Sequence, residues 1–210
     1  MGSAMNVVPA AEQLRVLEAV VPALEPVSYL VGGVAVGLNL RHRLSVDVDI
    51  FVPHDFDPER LLARLQAETR DCRAIGEAPG TLHVEVHGVP VSIRSYRYPL
   101  LRTPLVIPGV ALPVAAVEDL VCMKLAAIAG RCAAKDFWEL DSLLAAGAFG
   151  GSMSNALDAY CTKYASHDRA QIVKSLAYFG DADAAPLPRG LTAGAWASMK
   201  VRIAEQVRSL

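Results

Sequence analysis

The sequence predicts an α+β chain, with a mixed β-sheet flanked by helices over residues 6–113 and helices alone over residues 114–210. Two observations predict this. Up to Pro113, runs with strand alternation are interleaved with runs of helical spacing, and from Val114 onward only helical periodicity remains. Gly, Ser and Pro clusters punctuate the runs at the intervals expected of turns. With 210 residues, 53% of them hydrophobic, the chain can bury a substantial core without covalent staples.

Taken in order, residues 10–24 place Leu14, Leu17, Val20 and Val21 at helical spacing, and Glu25 and Pro26 close that helix. The run VSYLVGG reads as a short strand ending in glycines, followed by a helix from about Val34 to Leu40. Alternation from Leu44 to Val52 predicts a strand. In DPERLLARLQAET, Asp57 is placed to cap a helix that opens on Pro58 and buries Leu61, Leu62 and Leu65. Two or three antiparallel strands follow, with a tight turn at His87 and Gly88, and PLVIPGVALPV adds a short strand pair or an extended connection. Five helical runs fill the remainder, beginning at AAVEDLVCMKLAAIAGR, AKDFWELDSLLAAG, SNALDAYCTKYAS, RAQIVKSLAYF and AGAWASMKVRIAEQVRSL.

A formal net charge of -2 gives no global basic field, so contact with nucleic acid would rest on a local patch. Cys72, Cys122, Cys132 and Cys161 form no C-x-x-C pair and read as reduced thiols. The leading Met-Gly-Ser-Ala reads as a cloning remnant ahead of a native start at Met5, and the residues given read as carrying neither a secretory-leader pattern nor an apolar run of membrane-spanning length. A cytoplasmic protein with no membrane partner is the expectation.

The chemistry concentrates in VGGVAVGLNLRHRLSVDVDIF, residues 31–51. In a strand, Arg43, Ser45, Asp47 and Asp49 would share one face, while Leu44, Val46, Val48, Ile50 and Val52 would share the other. Carboxylates two residues apart on a strand have α-carbons ~7 Å apart, close enough to converge on a divalent cation. Gly32 and Gly33 precede a helix whose N-terminal N–H groups can receive an anion. Arg43 and Ser45 can add phosphate contacts. A D-x-D alone arises often on solvated strands. A glycine pair, a helical turn and then R-x-S-x-D-x-D ending in an apolar strand is a compound pattern that a merely solvated face does not require.

A second cluster lies downstream. Between Leu120 and Gly130 the one charged residue is Lys124, and an ammonium in so apolar a helix either reaches water or has a partner. Arg131 follows two turns later on the same side, and Asp136 falls at the start of the next helix.

The glycine turn and D-x-D resemble the first motif of the DNA polymerase beta nucleotidyltransferase superfamily. KLAAIAGRCAAKDFWEL, residues 124–140, is similar to the lysine, arginine and RD-x-x-DL motif of the nucleotidyl transferase AbiEii/AbiGii toxin family, and SLAYFGDADAAPLP is similar to that family's C-terminal region. Glu139 stands where the family has a second Asp, and Lys135 where it more often has Arg. The resemblance implies a nucleotidyltransferase core whose site is completed by the helical portion. Asp47 and Asp49 would hold Mg²⁺, or Mn²⁺ in its place. Gly32, Gly33, Arg43, Ser45, Lys124 and Arg131 would contact the nucleotide, and Lys124 and Asp136 would join Asp47 and Asp49 in catalysis. It also implies a toxin-antitoxin toxin, with an NTP substrate, tRNA or another RNA as acceptor, and a cognate antitoxin as partner. Superfamily members often carry a third carboxylate on a later strand, where VPVSIRSY offers Ser92. Glu85 and Asp136 are the substitutes available, and Asp136 is favoured.

Other features read as ordinary structure. His83, Glu85 and His87 share an exposed polar strand face, Tyr96 packs at a strand end, and Trp138 and Trp196 anchor helix packing. From Gly151 onward seven Lys and Arg stand against five Asp and Glu, and Arg169, Lys174, Lys200 and Arg202 are the candidates for RNA phosphates. Two rivals share the glycine turn and D-x-D: a nucleotidyltransferase of small hydroxylated molecules of the antibiotic-modifying type, and a catalytically silent nucleotide-binding protein.

Overall fold

A computed structural model of the chain describes residues 11–40, 45–166 and 168–210. The chain forms two compact units, Met1–Ala116 and Val117–Leu210.

The first unit is built on a five-stranded mixed sheet. Helix α1 (Ala11–Val20) runs into a 3-10 turn at Val21–Ala23, where Pro22 ends the regular helix. Strand β1 (Tyr29–Val31), buried throughout, passes directly into α2 (Gly32–Leu40). Then come β2 (Val48–Val52), α3 (Pro58–Glu68), β3 (Cys72–Ala78), β4 (Thr81–Val86) and β5 (Val89–Ser95). The strand order is β1-β2-β5-β4-β3, with β2 and β5 parallel and the other neighbours antiparallel.

Local chemistry explains these elements. The Asp57 carboxylate accepts hydrogen bonds from the backbone N–H groups of Glu59 and Arg60 and so starts α3, while Pro58 pre-sets its first turn. Leu61 and Leu65 are buried, as the spacing predicts, but Leu62 is only half-buried. His87 and Gly88 take positive φ of 51° and 76°, the conformation of a tight two-residue hairpin turn between β4 and β5. Val114 bridges both Leu105 and Leu30, so the PLVIPGVALPV segment returns to the sheet as isolated bridges and not as a full strand pair.

One face of the sheet is apolar. Val48, Ile50, Val52, Leu82, Val84, Val86, Val91 and Ile93 are all 3% exposed or less, and α1 and α3 pack on this sheet through Val16, Leu17, Leu61 and Leu65. The other face carries Asp49, Phe51, Ser92 and His83, all half-buried.

The expected strand from Leu44 to Val52 is shorter in the structure. Leu44 lies outside the described residues, Ser45 to Asp47 precede β2 as a bend, and Val46 is 72% exposed and not part of the core. The cause lies in the partners. Beyond Val31 the chain turns into α2, so β1 pairs with β2 no further than Asp49, and Pro90 on β5 has no N–H to offer the residue before Val48.

The second unit is helical: α4 (Val117–Arg131), α5 (Ala134–Ala145), α6 (Met153–Tyr164), α7 (Arg169–Ala177), α8 (Gly180–Ala184) and α9 (Ala193–Arg208). The short α8 falls in the loop-like stretch between the predicted helices. Helix α4 packs against α5, α6 and α7, with Leu120, Val121 and Leu125 fully buried. Phe137, Phe179 and Trp196 meet with ring centroids 5.1–5.9 Å apart, so Trp196 is the packing anchor its position suggests. Lys163 and Asp119, both wholly buried, pair at 2.6 Å between α6 and α4. All four cysteines are free, and burial pushes the Cys122 thiol up to about 12.

Candidate active site

In the sheet unit, the functional side chains are placed by the register of β2. Asp49 is the direct partner of Val31 on β1 and of Ser92 on β5. Paired residues point to the same face, so the Asp49 carboxylate and the Ser92 hydroxyl are neighbours on the polar side of the sheet. Ser92 Oγ is buried and has no hydrogen-bond partner. An unpartnered buried hydroxyl beside a carboxylate leaves one polar group to be satisfied by a water or a ligand.

Gly32 opens α2 at φ +69°, and a Cβ built there would stand 2.9 Å from Asp49 Cβ and Cγ. The glycine therefore serves two ends at once: it takes a backbone conformation that L side chains rarely adopt, and it lets the carboxylate lie against the first turn of a helix. Gly33 follows, buried, inside that first turn.

Asp47 is exposed and lies just before β2. The Ser45 hydroxyl donates to the Asp47 carbonyl at 3.4 Å, and the buried amide of Gln13 on α1 donates to the carbonyls of Ser45 and Val46. The segment that carries Asp47 is thus tied down from α1 by a residue that sequence reading passes over. A buried Gln on an otherwise apolar helix face was its signal. Arg43, predicted to contact phosphate, lies outside the described residues.

Among the described residues no group of three or more His, Cys, Asp or Glu is arranged to hold a metal ion. The donors that are present, two carboxylates and the unpartnered Ser92 hydroxyl, are hard oxygens. They fit Mg²⁺, which is typically held by one or two carboxylates together with water and substrate phosphates. Arg94 is exposed on the same face, opposite Phe51 in the β2–β5 register, and adds a cation that the sequence did not single out. Tyr96 stacks on Phe51 with centroids 4.2 Å apart, which accounts for its ring by packing.

In the helical unit, the other predicted residues come together in one buried network. Lys124 pairs with Asp136 at 3.3 Å and with Glu139. Arg131 grips Asp136 through Nε at 2.7 Å and Nη2 at 2.8 Å, a two-pronged contact. Asp136 and Glu139 are essentially fully buried, Lys124 nearly so, and Arg131 reaches solvent. Burial alone would raise the Asp136 pKa, but the hydrogen bonds and charge of Arg131 and the charge of Lys124 more than offset it and hold the carboxyl below its usual range. The partner expected for a lone ammonium in α4 is therefore a pair of carboxylates on α5. Of the candidate RNA contacts, Arg169 is engaged by Asp158, Lys200 by Asp183 at 2.8 Å and Arg202 by Asp141 at 2.6 Å, while Lys174 is exposed. Glu85 is engaged by Arg73 at 3.0 Å.

No family model matches the chain. Among solved structures it resembles JHP933 from Helicobacter pylori, with 18% identity, 94% of this chain and 89% of that one covered, and a TM-score of 0.55. A Helicobacter pylori protein provisionally named a nucleotidyltransferase is similar at 16% identity, 94% and 92% coverage and a TM-score of 0.57. ANT(2")-Ia, solved in complex with adenylyl-2"-tobramycin, is similar at 14% identity, 74% and 98% coverage and a TM-score of 0.54. These likenesses establish a nucleotidyltransferase-type α+β fold with a helical C-terminal part. Over 156 residues, 73% of this chain and 74% of the relative, the sequence is 34% identical to the uncharacterized protein aq_aa25 of Aquifex aeolicus (strain VF5), and the chain belongs to that protein's family.

Proposed function

We propose that the chain is a Mg²⁺-dependent nucleotidyltransferase that moves a nucleoside monophosphate from an NTP to an acceptor hydroxyl, as a toxin of the AbiEii/AbiGii type acting on RNA such as the tRNA acceptor end. The observation that carries this reading is the β2 register, with the Asp49 carboxylate against Gly32 at the head of α2 and beside the unpartnered Ser92 hydroxyl.

Asp47 and Asp49 hold the cation. When bound, Mg²⁺ neutralises charge on the triphosphate and makes the α-phosphorus a better electrophile. Gly32 and Gly33 let phosphate oxygens approach the N-terminal N–H groups of α2, where the helix dipole favours negative charge. Ser45, Arg43 and Arg131 add phosphate contacts. Lys124 supplies positive charge as pyrophosphate departs, and Asp136 orients Lys124 and Arg131 for that task. A cognate antitoxin is the protein partner in this reading.

A second reading, transfer to a small hydroxylated molecule, is favoured by one observation. Arg169, Lys200 and Arg202 are already paired with acids, which reduces the positive charge available to an RNA backbone. Incubation with each α-labelled NTP, Mg²⁺ and either a tRNA fraction or tobramycin distinguishes the two by which acceptor takes label. Asp49→Ala lowers transfer at least about 100-fold. NTP binding with no transfer to either acceptor supports the catalytically silent alternative instead.

A further inference from the structure

The two carboxylates assigned to the cation stand on unlike supports. Asp49 is held by strand register on both sides, paired with Val31 on β1 and Ser92 on β5, and it lies against Gly32. Asp47 precedes β2, whose pairing begins at Val48. The ladder therefore leaves the backbone of Ser45 and Val46 without strand partners, and the Val46 side chain, 72% exposed, buries little to anchor it. What meets these carbonyls comes from α1. Gln13 shares the buried stripe of that helix with Val16, Leu17 and Val20, where an apolar side chain would pack as well. Its amide instead donates to the carbonyls of Ser45 and Val46, the second at 3.4 Å. A side-chain amide carries two N–H donors whose burial is costly without acceptors, and two successive carbonyls that no strand claims are suited to them.

We propose that Gln13 is a positioning residue for Asp47: its grip on the Ser45–Asp47 bend fixes the backbone that carries this carboxylate and thereby sets the chain's affinity for a divalent cation. This rests on the nucleotidyl-transfer reading above. Two carboxylates hold one ion tightly when both are already in place, because each group ordered on binding subtracts its conformational entropy from the affinity. Asp49 is in place by register. Asp47 is in place only as far as the bend is, so Gln13 acts through the backbone and not as a ligand.

The test titrates the full chain with Mn²⁺ alone, which takes the same hard-oxygen ligands as Mg²⁺ and reports its binding through the EPR signal of the free ion. Gln13→Met and Gln13→Leu place an apolar side chain on the buried stripe and remove the donors. Each should weaken Mn²⁺ binding by about 10-fold, the lower end of the loss typical of groups that support metal ligands. In an Asp47→Asn background the same substitutions should cost nothing further, since the carboxylate they position is gone. Val16→Ala, on the same stripe, should lower the urea midpoint and leave the Mn²⁺ affinity of the folded chain unchanged. In transfer of α-label to whichever of tRNA or tobramycin accepts it, the Gln13 variants should need about 10-fold more Mg²⁺ for half-maximal rate and regain the wild-type rate at saturating Mg²⁺. Mn²⁺ affinity unchanged by both Gln13 variants, or losses that add in full to that of Asp47→Asn, overturn the role of Gln13 alone. Mn²⁺ binding that Asp47→Asn and Asp49→Ala leave intact, or transfer absent from the unsubstituted chain, overturns it together with the nucleotidyl-transfer reading.

Discussion

Gly32 is the residue on which the sheet unit's geometry turns. At φ +69° an alanine is strained, and its Cβ would press on the Asp49 side chain at 2.9 Å, so relief requires moving either the first turn of α2 or the carboxylate itself. Gly32→Ala should cost about 1–3 kcal/mol in urea denaturation and reduce activity beyond what that loss of stability explains. Asp136 tests the helical unit. Removing its charge leaves buried Lys124 with Glu139 alone and takes the two-pronged partner from Arg131, and Asp136→Asn should destabilise the protein by about 1.5–3 kcal/mol at neutral pH. The folded carboxyl titrates below its ordinary value of 3.8, so its contribution is fully present above that value and is lost as pH falls through the depressed folded one. Stability measured against pH should therefore show the gap between wild type and Asp136→Asn closing below about pH 4, and a gap independent of pH would assign the effect to packing. At this scale the sequence displayed the residue types but not their company. Lys124 announced a partner by its isolation in an apolar helix, whereas the pairing of Asp49 with Ser92 depends on strand register between segments far apart in sequence.

Elements with their own local punctuation were readable directly. The Asp57-Pro58 start of α3 and the His87-Gly88 hairpin carry their signals within a few residues, and the structure places both where those signals stand. The start of β2 was not readable, because the period-2 pattern of hydrophobic residues continues through Val46 while the pairing does not. Whether a strand extends is decided by its neighbours' donors, and here one neighbour turns into a helix at Gly32 and the other presents Pro90. The difference is measurable: Val46→Ser should change stability by less than about 0.5 kcal/mol, whereas Ile50→Ala, two turns of the alternation into the core, should cost about 2–5 kcal/mol. Comparable losses at both positions would restore the longer strand. Gln13 belongs to the same lesson, since its amide fixes the Ser45–Asp47 bend from a helix more than thirty residues away.

Across the whole molecule, the change from mixed elements to helices near Pro113 was visible in periodicity alone, and the short α8 was not, because five residues carry less than two turns of pattern. With a net charge of -2 and Arg169, Lys200 and Arg202 paired with acids, binding of an RNA acceptor should weaken less steeply with salt than if all the cations of the helical unit met phosphate. No described helix is long and apolar enough to cross a membrane. The fold is that of nucleotidyltransferases, and the chemistry proposed for it has one defining property: the α-phosphate stays with the acceptor and the outer two phosphates leave. Parallel reactions with NTP labelled at the α or the γ phosphate, with Mg²⁺ and the accepting substrate, test this directly. The account predicts that α-label is retained on the acceptor, that γ-label is released as pyrophosphate, and that Asp49→Ala abolishes both. Retention of γ-label on the acceptor, or equal transfer by Asp49→Ala, would contradict it.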